Sequence, residues 1–131
     1  QTFTFTDNYL SAAYSYASVR TTSALDSHVW FAANKNAGLK ISGFSTSGYT
    51  NLKLSYSIAA NVKSVDQNVI QVKCDSTLMI VPSVVFSAVN PYQTVELSNV
   101  PVNPTSIEFI SSATTNTAGY RIDNVKLVGT K

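Results

Sequence analysis

Residues that could act as a nucleophile or a base are few in this chain of 131 residues. A thiol enzyme would have to pair its single cysteine, Cys74, with its single histidine, His28, because such a nucleophile needs an adjacent base. Cys74, however, shares the phase of Ile70 and Val72 in an alternating segment, which predicts a small apolar core residue. One cysteine also leaves no pair for a disulfide within the chain and no cysteine-cluster metal site.

The acidic residues give little support for glycoside hydrolysis. That reaction needs two carboxyl groups facing one cleft, and the chain has seven acidic residues. Glu96 and Glu108 both fall on the polar phase of their segments, so we expect them on solvent faces. Phosphate loops, His–Glu zinc motifs and glycine-rich dinucleotide motifs are absent from the sequence. The sequence therefore predicts that the chain is not an enzyme; a glycosidase is the alternative that two converging carboxylates would support.

Aromatic residues are better supplied than catalytic ones, with seven Tyr, six Phe and one Trp. Trp30, Tyr49 and Tyr92 lie in or near predicted turns, where their rings could stack on sugar rings while Asn and Ser side chains bond the hydroxyls. We take these three as candidate ligand-binding residues, with a cap on the sandwich as the alternative role of Trp30. The other aromatics, in phase with the core, are predicted to be structural: Phe3, Phe5, Tyr56, Phe109 and Tyr120.

One irregularity occurs in the last alternating segment. Tyr120 and Ile122 occupy one phase, whereas Val125 and Leu127 occupy the other. The pattern therefore slips by one residue at 123–124, and an extra residue in a strand is the signature of a β-bulge. We predict a bulge at this point of the chain.

The slip places the carboxylate of Asp123 next to predicted core positions. A carboxylate next to core positions needs hydrogen bonds or a cation. One interpretation is that backbone amides at the bulge bond it. The other is a structural calcium, with Asp123 as metal ligand beside backbone carbonyls and a carboxylate such as Asp7 or Asp26.

Period-2 alternation along nearly the whole chain predicts the elements that must position these residues. In the clearest example, Leu52, Leu54, Tyr56 and Ile58 share one face of a strand. Gly, Pro and Asn fall between the alternating runs, as turns require, and no long 3.6-residue apolar stripe is present. About nine or ten strands follow, and they predict an all-β fold, a two-sheet antiparallel β-sandwich.

Composition and charge limit the partners. Charged residues make up only 12% of the chain and the formal net charge is +2, with the basic residues scattered, which argues against nucleic acid as a partner. No apolar run approaches the roughly 18 residues of a membrane-spanning helix, so membrane insertion is not expected. We expect one domain over 1–131. Because the sequence begins inside an alternating run, we also expect it to have been excised from a longer secreted or surface protein.

The segment from Gly119 to Gly129 carries a family resemblance. Its form, aromatic-x-Ile-Asp-(Asp/Asn)-Val-x-Leu, resembles the closing strand of jelly-roll, galactose-binding-like modules on secreted and surface proteins of Bacteroidetes-type bacteria. It is also similar to the last strand of jelly-roll carbohydrate-binding modules. The resemblance implies jelly-roll topology, a glycan ligand and an extracellular or cell-surface location. In those modules the aspartate of the closing strand often helps to hold a structural calcium, which implies a metal role for Asp123.

These observations together predict a non-catalytic carbohydrate-binding or glycan-recognition module of an extracellular bacterial protein. The alternative is a structural or adhesion module that mediates domain or protein–protein contacts. An apolar surface patch or a homodimer would indicate this alternative. The sequence leaves the identity of the ligand and the oligomeric state open.

Overall fold

A computed structural model of the chain describes residues 4–7, 17–21 and 27–131. Phe3 and Asp26 lie outside these ranges, and Phe5 lies in a strand of which the backbone alone is described. Within the described ranges there are ten strands and one short 3-10 helix, Gln67–Val69. The strands are β1 (Thr4–Asp7), β2 (Ala17–Thr21), β3 (Ser27–Phe31), β4 (Ala37–Ser42), β5 (Thr50–Ala60), β6 (Gln71–Cys74), β7 (Thr77–Leu78), β8 (Gln93–Leu97), β9 (Ser106–Ser111) and β10 (Tyr120–Thr130).

The described strands form two antiparallel sheets. The first sheet has the order β1-β4-β9-β6-β7, and the second sheet has the order β2-β3-β10-β5-β8. From β3 onward, β3-β10-β5-β8 of the second sheet faces β4-β9-β6-β7 of the first, with the chain passing between sheets at almost every connection. This order is that of a jelly roll, which consists of two Greek keys. The predicted two-sheet sandwich and its jelly-roll topology are confirmed.

The alternation in the sequence produces the core between the sheets. In β5, Leu54, Tyr56 and Ile58 are almost fully buried while Lys53 on the other phase is exposed. The ring of Tyr56 meets that of Phe109, from β9 of the opposite sheet, edge to face, with the ring centroids 5.0 Å apart. Such a pair contributes about 1 kcal/mol beyond the area it buries. It joins the two sheets at the centre of the sandwich.

The bulge predicted in β10 is present. Asp123 pairs with Ser57 and Lys126 pairs with Ser55, so three steps along β10 match two steps along β5. Asn124 takes the extra place with a φ of 51°, a left-handed conformation that Asn accepts more readily than most residues. Val125 and Leu127 pack against the core as a result.

The hydroxyl of Tyr56 provides a first test of the core. It is buried and has no hydrogen-bond partner among the described residues, and burial raises its pKa well above the usual value. We expect Tyr56→Phe to leave the free energy of unfolding unchanged or to raise it by about 1 kcal/mol, because the desolvation cost of the hydroxyl disappears. Thermal melting of both proteins measures the difference, and a clear loss of stability would show that the hydroxyl is bonded.

Candidate functional site

The outer face of the second sheet brings together an aromatic ring, a cation and an amide. Trp30 of β3 and Arg121 of β10 are direct cross-strand partners, and neighbours in this register share a face of the sheet. The guanidinium carbon of Arg121 lies 5.3 Å from the centroid of the Trp30 ring, within the range of a cation–π contact. Nη1 of Arg121 also donates a 2.6 Å hydrogen bond to Oδ1 of Asn90.

Asn90 reaches Arg121 because the turn before β8 takes an unusual backbone conformation. The φ of Asn90 is 77°, and its backbone amide donates a hydrogen bond to the carbonyl of Ala60 at 2.9 Å. The φ of the following Pro91 is restricted by its ring. The turn therefore holds the amide side chain of Asn90 above the outer face.

Tyr92 completes the row that begins at Trp30. The pairing of β8 with β5 ends at Gln93 and Ile58; extending this register by one residue would put Tyr92 opposite Ala59, the partner of Arg121. Ala59 is fully buried although it belongs to the outward phase of β5. Tyr92 itself is 40% exposed.

Polar contacts fix the chain that leads into β10. Asn116 is fully buried; its Nδ2 donates to Oγ of Ser111 at 2.6 Å, and its Oδ1 accepts from the amide of Ala118 at 2.9 Å. Gly119 then donates to Oδ1 of Asn61 and accepts from the amide of Asn61, both at 2.9 Å. These bonds place Gly119, and with it the start of β10, next to the end of β5.

We use the name aromatic face for the outer surface formed by Trp30, Asn61, Asn90, Tyr92 and Arg121. It offers two aromatic rings, two neutral amides and one guanidinium on a rigid sheet. Rings supply apolar contact, and amides and guanidinium supply directed hydrogen bonds. This combination suits a neutral molecule that has both C–H and O–H surfaces.

Tyr49, the third candidate from the sequence, does not lie on the aromatic face. It precedes Thr50, the first residue of β5, whereas the aromatic face meets β5 near its last residues. Ten residues of extended strand separate Tyr49 from Ala59, about 33 Å. The Tyr49 ring instead lies 5.8 Å from Nζ of Lys131. Ligand contact by all three residues stays a prediction; Trp30 lies in β3 and Tyr92 directly precedes β8, two strands of the same sheet.

Asp123 is half-buried, and its Oδ1 accepts a 2.7 Å hydrogen bond from the amide of Asn124. Asp7, a proposed calcium partner, belongs to β1 of the first sheet, whereas Asp123 belongs to the second; Asp26 is outside the described residues. Among the residues that the structure describes, no three His, Cys, Asp or Glu side chains cluster. The described carboxylates therefore do not form a calcium site by themselves, and the calcium ligand role of Asp123 stays a prediction.

The carboxylates Glu96 and Glu108 do not converge. Glu96 lies in β8 of the second sheet, where Oε1 is 3.6 Å from Nζ of Lys53 on the exposed face. Glu108 lies in β9 of the first sheet, between Lys40 and Lys73 in the register. The two residues are on opposite sheets, as their polar phases predicted, and they cannot share one glycosidic bond.

Cys74 is a core residue, as predicted from its phase. Its side chain is fully buried, and burial, with a smaller effect from the charge of Asp75, raises the pKa of the thiol to about 11. Since the thiolate is the reactive form, we expect Cys74 to resist a thiol reagent at pH 8 and to react fully once denaturant unfolds the chain. Absorbance of the released chromophore measures both rates; fast labelling of the folded protein would contradict the burial.

A concavity of about 340 Å³ lies beside β6 and β7 of the first sheet. Its lining mixes amide, hydroxyl and aliphatic side chains without an aromatic ring: Asn68, Val69, Gln71, Leu78, Met79, Val81 and Thr115. It therefore lacks the stacking surface that the aromatic face has. No helix among the described residues is long and apolar enough to cross a membrane.

Asn61, Asn90 and Arg121 are the parts of the aromatic face that the sequence did not reveal. The sequence did carry a signal for Arg121, because it lies between the inward Tyr120 and Ile122 and must point outward. Which aromatic residue it meets depends on the pairing of β10 with β3, which local sequence does not specify.

No protein-family model matches the chain, and no curated protein matches it. Solved structures do share its fold. A family 61 carbohydrate-binding module in complex with β-1,4-galactotriose is 12% identical, with a TM-score of 0.56 over 98% of this chain and 88% of that one. A variant of a family 29 carbohydrate-binding module is 12% identical, with a TM-score of 0.54 over 97% and 91% of the two chains. The family 11 module from Clostridium thermocellum, in complex with a β-1,3-1,4-mixed-linked tetrasaccharide, is 14% identical, with a TM-score of 0.51 over 98% and 85%.

Proposed function

We propose that this chain is a non-catalytic carbohydrate-binding module that takes a glycan on the aromatic face. The observation that carries the proposal is the contact of the Trp30 ring with Arg121, whose guanidinium bonds to Asn90. Extending the β5–β8 register by one residue puts Tyr92 at the far end of the same row. Rings at both ends supply stacking, and the central pair supplies donors and acceptors for hydroxyl groups. The likeness in fold to carbohydrate-binding modules of families 61, 29 and 11 supports it.

The geometry of the row favours a glycan that crosses the strands. Trp30 and Tyr92 are separated by three strand spacings, through β10 and β5, which is about 14 Å. Arg121 and Ala59 lie between them. A chain of several sugar units laid across the sheet would contact both rings and the central polar pair at once.

The absence of converging carboxylates among the described residues supports binding without hydrolysis. We also propose that the module works outside the cell on a bacterial protein. The low charge of 12%, with Ser, Thr and Asn in its place, supports this location, as does the resemblance of the closing strand.

Retention on polysaccharide gels tests the proposal. β-1,4-Galactan and mixed-linked β-1,3-1,4-glucan are the first panel, because their oligosaccharides are bound in structures of similar fold. We expect the migration of the chain to be slowed by at least one neutral polysaccharide and Arg121→Ala to lose most of that retardation. Unchanged migration across neutral and acidic polysaccharides would overturn the proposal.

An adhesion or docking module is the second candidate, because the edge strand β7 and the segment that follows it carry exposed apolar side chains. Leu78, Ile80, Val84 and Val85 are 52%, 86%, 44% and 54% exposed. Light scattering separates the two candidates: a homodimer that Ile80→Asp disrupts would favour docking, whereas a monomer that is retained on glycan favours the aromatic face.

The calcium prediction has its own test. If Asp123 helps to hold calcium, adding a chelator lowers the melting temperature and calcium restores it, because a bound ion stabilises the folded state. Melting that is identical with chelator and with calcium would remove the prediction and would leave the proposed glycan site unaffected.

A further inference from the structure

The position of the Trp30 ring depends on the residue beneath it. The Trp30 side chain extends from β3 toward the start of β10, and its six-membered ring occupies the space that a side chain at position 119 would need. A Cβ at position 119 would overlap atoms Cη2 and Cζ2 of that ring, and it would lie 3.0 Å from Nδ2 of Asn61. Trp30 therefore rests where any other residue at 119 would place its side chain.

The backbone at this position gives no other reason for a glycine. Gly43 and Gly48 have φ values of 86° and 84°, which alanine adopts only under strain. Gly119 is not among the residues with a positive φ. Alanine is compatible with its backbone, and the steric conflict is with the Trp30 ring and, less severely, with the Asn61 amide.

The partners of Gly119 are themselves fixed. Its amide and carbonyl both bond to Asn61, and the next residue but one is Arg121, whose guanidinium lies over the same indole. The backbone of β10 cannot move aside without breaking these bonds. An added methyl group would therefore displace the indole, whose χ angles are the softer degrees of freedom.

We infer that Gly119 is a positioning residue of the aromatic face. Because it has no side chain, the Trp30 ring can pack against the start of β10, in contact with Arg121, in the orientation that receives a sugar ring. The inference rests on the proposed function for its consequence in binding. The contact between Gly119 and Trp30 stands independently of the ligand. A sugar that stacks on Trp30 would thus meet a ring whose position is limited by Gly119 and Arg121, beside the hydrogen-bonding groups of Arg121 and Asn90.

Gly119→Ala tests the inference directly, because Trp30 is the only tryptophan in the chain. We expect its fluorescence emission to shift to longer wavelength as the ring rises into water. We also expect affinity for the polysaccharide that retains the wild-type chain to fall about tenfold, since a displaced ring no longer meets the sugar together with Arg121.

Gly129→Ala is the matched control. Gly129 lies near the other end of the same strand, and a Cβ there would lie 2.7 Å from Cδ2 of Leu52 and 3.2 Å from Cβ of Tyr49. Position 129 is therefore as crowded as a control requires, but it is remote from Trp30. We expect Gly129→Ala to leave the emission of Trp30 unchanged.

A double-mutant cycle separates positioning from a general effect on folding. When Trp30 is present, Gly119→Ala should lower the melting temperature, because residues in contact are coupled. Once Trp30→Ala has removed the ring, Gly119→Ala should change the melting temperature little. An equal loss in both backgrounds, or unchanged emission of Trp30 in Gly119→Ala, would overturn the inference. A wild-type chain that no polysaccharide retains would remove the proposed function, while emission and melting would still decide the role of Gly119.

Discussion

Trp30→Ala is expected to weaken glycan binding by roughly thirtyfold, the equivalent of about 2 kcal/mol, which is the scale for an aromatic residue that carries much of a binding energy. The ring is half-buried on the aromatic face, pairs in register with Arg121 and lies 5.3 Å from its guanidinium carbon. Its removal takes away the stacking surface and also leaves Arg121 without its aromatic neighbour. Affinity electrophoresis or calorimetry with the retained polysaccharide measures the change.

Tyr49→Ala is the comparison that shows how the glycan lies. If the glycan crosses the strands from Trp30 to Tyr92, loss of the Tyr49 ring leaves the affinity within a factor of about two, because Tyr49 lies at the other end of β5. If the glycan runs along the strands, Tyr49→Ala weakens binding as well. A Trp30→Ala protein that binds as tightly as the wild type would contradict the proposed site itself, provided that both proteins melt at similar temperatures.

Phe109→Ala is expected to have the largest effect on stability. The Phe109 side chain is fully buried and meets Tyr56 across the sandwich, and truncating a buried phenylalanine costs about 3–5 kcal/mol through lost transfer energy and the cavity left behind. For a domain of this size the melting temperature should fall by roughly 10–20 °C. Circular dichroism during heating, or a urea titration, measures the loss.

Ile80→Ala is the matched surface control, since its side chain is 86% exposed. Removing apolar atoms that are already in water should change the free energy of unfolding by no more than about 0.5 kcal/mol. A Phe109→Ala protein that unfolds within 1 kcal/mol of the wild type would contradict a core centred on the contact between the two sheets.

Alternation in the sequence predicted the two-layer fold because each strand has one buried phase. The residues of one strand are enough to show which of its side chains are buried. The slip at 123–124 predicted the bulge on the same grounds. Pairing between strands is not local. Arg121 meets Trp30 only because β10 lies between β3 and β5, and that order follows from the packing of the whole jelly roll.

Tyr49 and Tyr92 show a second limit of the sequence. Both residues lie beside turns, and the turns of a sandwich lie at both ends of its strands. β5 runs unbroken for eleven residues, so one tyrosine is beside its first residue and the other is beside its last. Distance along an extended strand, rather than proximity to a turn, decides which aromatic residues act together.

The extra residue in β10 has a consequence for length variation in this chain. In a regular strand, deleting one residue exchanges the buried and exposed faces of everything that follows. At Asn124 the opposite holds, because Asp123 and Asn124 together occupy one place against β5. The chain could lose Asn124 and still send Val125 and Leu127 toward the core; it would give up only the local coiling that a bulge adds to a strand. β10 therefore has one position that tolerates a deletion, between the aromatic end of the strand and its lysine-bearing end.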